Sequence, residues 1–258
     1  MTHPFLAGAR TPRVLAHRGL FITDGSDGAV ENSFAALAAA HAAGAVYIES
    51  DCHLTRDGHV VLFHDADLRR VTGDPRQIGD VDLVELEGIM AERGGLATLP
   101  QALEAFPSTR FNIDVKADAA AVPAGRLVAP HAERVLLTSF SDRRRRIALA
   151  AAAEVRPALR PASSPGSATV ARLLGAVASR RLVARLLRDV DAVQIPERQG
   201  PLRVLSRRLI DVVHAAGVEV HVWTVNDPDD MRRLVALGVD GLVTDRADLA
   251  LELFPATD

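Results

Sequence analysis

Eight short apolar segments that read as buried strands, most of them separated by helical patterns, constrain this 258-residue chain more than any other feature of it. They begin at Arg13, Val46, Phe111, Arg134, Val155, Ala192, Glu219 and Gly241, the fifth covering residues 155–160. Helical runs over residues 34–43, 98–106, 201–216 and 228–237 stand between some of them. Parallel neighbours need crossover connections, and helices supply them. The expected fold is therefore α/β, a (β/α)₈ TIM barrel formed as a single domain over residues 1–258. A ninth apolar segment, residues 59–63, follows the turn Arg56-Asp57-Gly58 and is expected to run back as a β-hairpin insertion after the second strand.

A net charge of −3 and a pI near 6.3 leave no basic surplus for nucleic acid. The first residues lack a basic segment followed by a long apolar core, and no span of about 20 apolar residues occurs. The expectation is a cytoplasmic protein with no stable membrane insertion. Cys52 is the sole cysteine, so no intrachain disulfide can form, and it reads as a small packed residue.

Residues 46–65 gather acids and histidines on segments that are otherwise strand-like. Residues two apart on a strand face the same way, so Glu49, Asp51 and His53 share a face. The returning segment carries His64 towards the level of the carboxylates. A solvated acidic face is the plainer reading of such a pair, but the flanking apolar residues oppose it. Like charges in a low-dielectric barrel cost on the order of several kcal/mol unless a cation offsets them. Only oxygen donors are on offer, which suits a hard divalent cation, Mg²⁺ or Ca²⁺, and argues against zinc. The segment starting at Phe111 likewise sets Asn112, Asp114 and Lys116 on one face and Ile113 and Val115 on the other. Barrel active sites sit at the C-terminal ends of strands, so His17, Asp51, Lys116, Trp223 and Asp245 are expected to converge.

The motifs His17-Arg18-Gly19, Glu31-Asn32-Ser33, Glu49-Ser50-Asp51-Cys52-His53-Leu54-Thr55-Arg56-Asp57-Gly58, His64-Asp65 and Asn112-Ile113-Asp114-Val115-Lys116 together resemble the glycerophosphodiester phosphodiesterase family. Trp223-Thr224-Val225-Asn226, Gly238-Val239-Asp240-Gly241 and Thr244-Asp245 extend the resemblance over nearly the whole chain. It implies a (β/α)₈ enzyme that hydrolyses glycerophosphodiesters to glycerol 3-phosphate and an alcohol, using one divalent cation and two histidines. Carried over residue by residue, it implies His17 and His64 as the acid/base pair. Glu49, Asp51 and Asp114 become metal ligands, and Arg18 and Lys116 hold the phosphate. The chain departs from the pattern in three places. Asp114 stands where the family often has Glu, Val30 stands at a position that is commonly proline, and the loop over residues 20–30 looks several residues longer than usual.

The chemistry agrees with these residue types. Cleaving a phosphodiester requires masking its charge, activating an oxygen nucleophile and protonating an alkoxide. A cation with Arg18 and Lys116 suits the first task, and two histidines suit the others near neutral pH, with His17 as base and His64 as acid. Trp223 reads as the wall of a glycerol pocket or as filler of the barrel mouth. The run Arg143 to Arg146 reads as a solvated helix face. Residues 168–190 read as an outer barrel helix, or as an interfacial lid for lipid substrates. Two alternatives stand beside the leading one: a phospholipase D-type activity on lysophospholipids, and a catalytically silent phosphate-binding barrel.

Overall fold

The computed structural model describes residues 2–21 and 29–255. Its strands in chain order are β1 (Arg13–His17), β2 (Tyr47–Leu54), β3 (Val60–Leu62), β4 (Arg110–Val115), β5 (Val135–Thr138), β6 (Ala162–Ser163), β7 (Ala192–Pro196), β8 (Arg198–Gln199), β9 (Leu202–Arg203), β10 (Glu219–Trp223) and β11 (Gly241–Thr244). Between them lie the helices α1 (Phe34–Ala42), α2 (Arg69–Thr72), α3 (Leu83–Met90), α4 (Leu99–Ala105), α5 (Ala121–Val128), α6 (Asp142–Val155), α7 (Ser167–Ala176), α8 (Arg180–Leu186), α9 (Arg207–His214), α10 (Pro228–Leu237) and α11 (Ala247–Leu253). Eight strands pair in parallel in the order β6-β5-β4-β2-β1-β11-β10-β7, a nearly closed barrel wrapped by helices.

The last gap, between β6 and β7, is bridged by one aspartate acting as backbone. Asp191 N–H donates to the Ser163 carbonyl at 2.9 Å, and Ser163 N–H donates to Asp191 Oδ2 at 2.8 Å. The floor of the barrel is filled by the N-terminal segment. Phe5 is fully buried against the edge of Tyr47, whose hydroxyl donates to the Phe5 carbonyl at 2.9 Å. Arg13, facing the same layer, forms a two-pronged ion pair with Glu219 at 2.6 Å, and His221 closes on Glu219 at 3.0 Å.

Local signals set most helix starts. Ser33 Oγ accepts from Ala36 N–H to begin α1, Thr98 and Gln101 form a reciprocal capping box on α4, and Asp227 caps α10 with Pro228 in its first turn. β2 overruns the barrel, and its end pairs antiparallel with β3 through Cys52–Leu62, His53–Val61 and Leu54–Val60. From there the chain adds α2 and α3 over a satellite core of Val61, Phe63, Leu68, Ile78, Val81, Leu86, Met90 and Leu96.

Three local expectations give way. Residues 155–160 are not a strand: alanine-rich α6 runs on to Val155, Pro157 ends it, and the barrel strand is the two-residue β6 beyond. The helix expected over 201–216 begins only at Arg207, where Ser206 caps it, because 198–203 form the small β8–β9 hairpin. The run over 168–190 is two helices, broken before Ser179, which caps α8. The long loop read over residues 20–30 lies largely outside the described residues. No helix among the described residues is long and apolar enough to cross a membrane.

Candidate active site

A cavity of about 550 Å³ opens at the C-terminal ends of the barrel strands. His17, Arg18, Glu49, Asp51, His64, Asp114, Lys116 and Trp223 all line it. The register explains the convergence. His17 is level with Glu49 across β1 and β2, and Asp51 is level with Asp114 across β2 and β4.

After β1 the chain turns sharply. Arg18 adopts φ +57°, in the left-handed region that few non-glycine residues occupy. Gly19 follows at φ +88°, where a Cβ would fall 2.6 Å from the Ala36 carbonyl carbon, so only glycine fits. This turn directs Arg18 back over the mouth. Its Nη1 donates to Glu31 at 2.7 Å, and its Nε lies 3.2 Å from Asp51 Oδ2 but out of line for a hydrogen bond.

Each histidine has its own acid. His17 Nδ1 is 2.6 Å from Asp245 Oδ1, and Asn226 Nδ2 donates to the other Asp245 oxygen at 2.7 Å. His64 Nδ1 is 2.6 Å from Asp65 Oδ1, and Arg70 secures Asp65 and Glu31. With Nδ1 bonded to a carboxylate, each ring keeps its proton there and leaves Nε2 for chemistry. His17 Nε2 stands 3.8 Å from Glu49 Oε2. His53 is not among the lining residues; its Nε2 donates to the His64 carbonyl at 3.1 Å and holds the His64 backbone.

The carboxylates are buried and crowded. Burial and the Asp51 charge push Glu49 up to about 8. Burial also works against Asp51, but Lys116 and Arg18 outweigh it and hold that carboxyl below the usual range. Burial raises Asp114. Lys116 Nζ reaches Asp51 Oδ1 at 2.9 Å and Asp114 Oδ2 at 2.7 Å, and the two acids overcome burial to raise its pKa. For His17, burial is opposed by the Asp245 hydrogen bond and the Glu49 charge, and the net shift is upward.

The acids fit a hard divalent cation by the chemistry of their donors and by what they leave unpaired. Among the described residues, Asp114 Oδ1 and Asn112 Oδ1 are buried acceptors with no hydrogen-bond partner, and Arg18 Nε is a buried donor with none. Buried polar atoms rarely stay orphaned, and these three sit in one cavity. Among the described residues no three acidic, histidine or cysteine side chains already converge as a metal cage, since Lys116 draws Asp51 and Asp114 to its ammonium.

Two contributors escaped the reading of individual residues. Asn32, at φ +60°, donates to Asp51 Oδ2 at 3.1 Å and accepts from Ser50 Oγ at 2.6 Å, fixing the central acid. The strand pattern sets Asp245 at the mouth, but no local sequence feature marks its bond to His17. The Asn in Glu31-Asn32-Ser33 was a signal, because a turn asparagine tolerates positive φ and carries a local hydrogen-bonding head.

The model of the glycerophosphoryl diester phosphodiesterase family matches residues 17–249. The chain belongs to that family. A probable glycerophosphodiester phosphodiesterase 2 of Mycobacterium tuberculosis is 38% identical over 234 residues, covering 87% of this chain and 85% of the relative. A lysophospholipase D of Homo sapiens is 25% identical over 264 residues, covering 90% and 82%. Among solved structures, an Oleispira antarctica phosphodiesterase in complex with the product sn-glycerol-3-phosphate superposes with a TM-score of 0.71 at 23% identity, covering 95% of this chain and 98% of that one.

Proposed function

We propose that the protein hydrolyses glycerophosphodiesters to glycerol 3-phosphate and an alcohol, with His17 and His64 moving the protons. The observation that carries this reading is the pair of histidines, each braced by its own aspartate at 2.6 Å and lining one cavity with Arg18, Lys116 and three acids. The family match and the product named in the Oleispira complex support the substrate class.

Glu49, Asp51 and Asp114 would hold one divalent cation, Mg²⁺ or Ca²⁺. When bound, it supplies positive charge against the non-bridging phosphate oxygens and favours ionisation of the nucleophile. The chain does the rest. The unsatisfied Arg18 Nε–H and the Lys116 ammonium orient the phosphate. His17, the deeper imidazole at 16% side-chain exposure, takes the proton of the attacking oxygen through Nε2. His64, at 32%, stands nearer solvent, where the alcohol leaves, and donates the proton it needs. Trp223, packed edge-on against Phe140 at 5.7 Å between centroids, walls the outer cavity.

A glycerol 3-phosphate-coupled assay on glycerophosphocholine, glycerophosphoethanolamine and glycerophosphoglycerol tests the reading. Release of glycerol 3-phosphate that EDTA stops and Mg²⁺ or Ca²⁺ restores is expected. Full activity in metal-free protein would remove the cation, and phosphocholine as the product would remove the bond assignment.

One observation favours a second reading. The outer arm of the cavity is apolar, walled by Phe140, Val170, Ala171, Leu174, Leu202 and Val204, more apolar surface than a water-soluble headgroup needs. Lysophospholipids, cleaved in the manner of a phospholipase D, would place their acyl chain there. A kcat/KM on lysophosphatidylcholine at or above that on glycerophosphocholine would favour this substrate.

A further inference from the structure

The arginine run that opens α6 is not a uniformly solvated face. Arg143 and Arg144 turn to Asp118 at 3.1 and 2.8 Å. Arg145 turns inward and is more than nine-tenths buried, with Nη1 on Ser163 Oγ at 2.7 Å. Its Nε–H has no hydrogen-bond partner among the described residues. Beside it lies a second cavity, of about 470 Å³, between the first turns of α6 and α7. Arg143, Arg145, Arg146 and Arg172 line it with Ser167 and Thr169.

The charge in this cavity is unbalanced. Its one carboxylate among the described residues, Asp142, is spent on capping α7: it accepts from Gly166 N–H at 3.0 Å, from Thr169 N–H at 2.9 Å and from Thr169 Oγ1 at 2.9 Å. It lies 3.6 Å from Arg145 Nη2. The Nε of Arg146 reaches only the Asp142 carbonyl, and Arg172, on α7, forms no ion pair among the described residues. With Arg143 held by Asp118, the three guanidinium groups of Arg145, Arg146 and Arg172 thus face one committed acid among the described residues, at the N-terminal ends of a fourteen-residue and a ten-residue helix, where partial positive charge collects. The packing is tight as well as basic, since a Cβ on Gly166 would fall 2.6 Å from Asp142 N.

We propose that this cavity is a second anion site, built for a tetrahedral phosphate group and separate from the catalytic one. Arg145 supplies fixed, buried positive charge in the wall, and Arg146 and Arg172 close on the group from solvent, as guanidinium forks do with phosphate oxygens. The cavity shares Phe140 and Ser167 with the reaction cavity, so its occupant sits one wall away from the substrate. The phosphate can come free from solution or on an anionic phospholipid headgroup.

Equilibrium dialysis of inorganic phosphate against the whole protein tests the proposal, using Arg146→Gln/Arg172→Gln and, separately, Arg18→Gln. Wild type is expected to bind two phosphates per chain. The double variant should lose one of them, with at least ~10-fold weaker binding, while its kcat/KM on glycerophosphocholine in phosphate-free buffer stays within twofold of wild type. Arg18→Gln should keep the site between α6 and α7, so failure of the catalytic phosphate reading shows separately. Sedimentation with phosphatidylcholine vesicles, with and without phosphatidylglycerol, identifies the source. Wild-type pelleting with the anionic vesicles that the double variant loses assigns a lipid headgroup, and no pelleting assigns free phosphate. Phosphate binding by the double variant equal to wild type in number and affinity overturns the site.

Discussion

Replacing Asp245 with Asn leaves the shape of the site intact and removes one charge. In the wild type the carboxylate holds His17 Nδ1 at 2.6 Å while Asn226 and the Asp245 backbone fix its own orientation. The amide retains the volume, and with its oxygen kept on Asn226 Nδ2 its NH₂ takes the place that faces His17, where it cannot accept a proton held on Nδ1. The proton then moves to Nε2 and His17 cannot act as base. A hydrogen bond to a charged group contributes about 1.5–3 kcal/mol, which converts to a loss of about 10- to 150-fold in kcat. The pH profile should move as well. Asp245 raises the His17 pKa, so in Asp245→Asn that pKa falls and the acid limb of kcat/KM shifts to lower pH, with a reduced plateau. The assay is glycerol 3-phosphate release across pH 5–9, with circular dichroism and a melting curve to confirm the fold. A kcat within twofold of wild type, or a rise in KM alone with an unmoved acid limb, would refute the role given to Asp245 and with it His17 as base.

Lys116 is the only lysine among 30 basic residues, and its Nζ bridges two acids beneath the Phe140 ring at 5.2 Å. A planar guanidinium cannot occupy that point, so Lys116→Arg should lose more than ~10-fold in kcat/KM, and kinetics within twofold of wild type would show that charge alone matters. Mg²⁺ or Ca²⁺ at about 100 times its Kd should stabilise the wild type by about 2.7 kcal/mol in a thermal melt. Glu49→Gln and Asp51→Asn should abolish that gain and Asp114→Asn reduce it less; equal gains in all four proteins would dismiss these acids as ligands. Glu219 is held at about 2, because Arg13 and His221 outweigh the burial that would raise it. A folded value below the unfolded 4.5 contributes stability that is complete above pH 4.5 and lost as pH falls towards 2, about 3 kcal/mol in all. Urea unfolding of Glu219→Gln should therefore show a lower plateau at pH 7 and a flatter acid limb, and an unchanged acid limb would reassign the acid sensitivity.

Strand alternation made the site visible in advance. A period of two leaves Glu49 with Asp51, and Asn112 with Asp114 and Lys116, on single faces whatever the tertiary context, and the barrel's geometry gathers strand ends at one mouth. What stayed hidden was non-local or very short. The bond from Asp245 to His17 joins residues 228 apart in the chain, and nothing at either end announces it. β6 consists of one alanine and one serine, with no β-branched or aromatic residue to mark it, and the barrel closes there through the Asp191 side chain. The four consecutive arginines look alike in sequence, yet α6 has a period of 3.6, so neighbouring side chains point about 100° apart and Arg145 alone is carried to the interior.

The division of labour between the two histidines is tested most directly by changing the leaving group. Wild type, His17→Ala and His64→Ala are compared on glycerophosphocholine and on the p-nitrophenyl ester of glycerol 3-phosphate, whose leaving group departs without a proton. The account predicts that His17→Ala loses at least ~100-fold on both substrates, whereas His64→Ala loses at least ~100-fold on glycerophosphocholine and less than ~10-fold on the p-nitrophenyl ester. Equal losses for His64→Ala on the two substrates would contradict it.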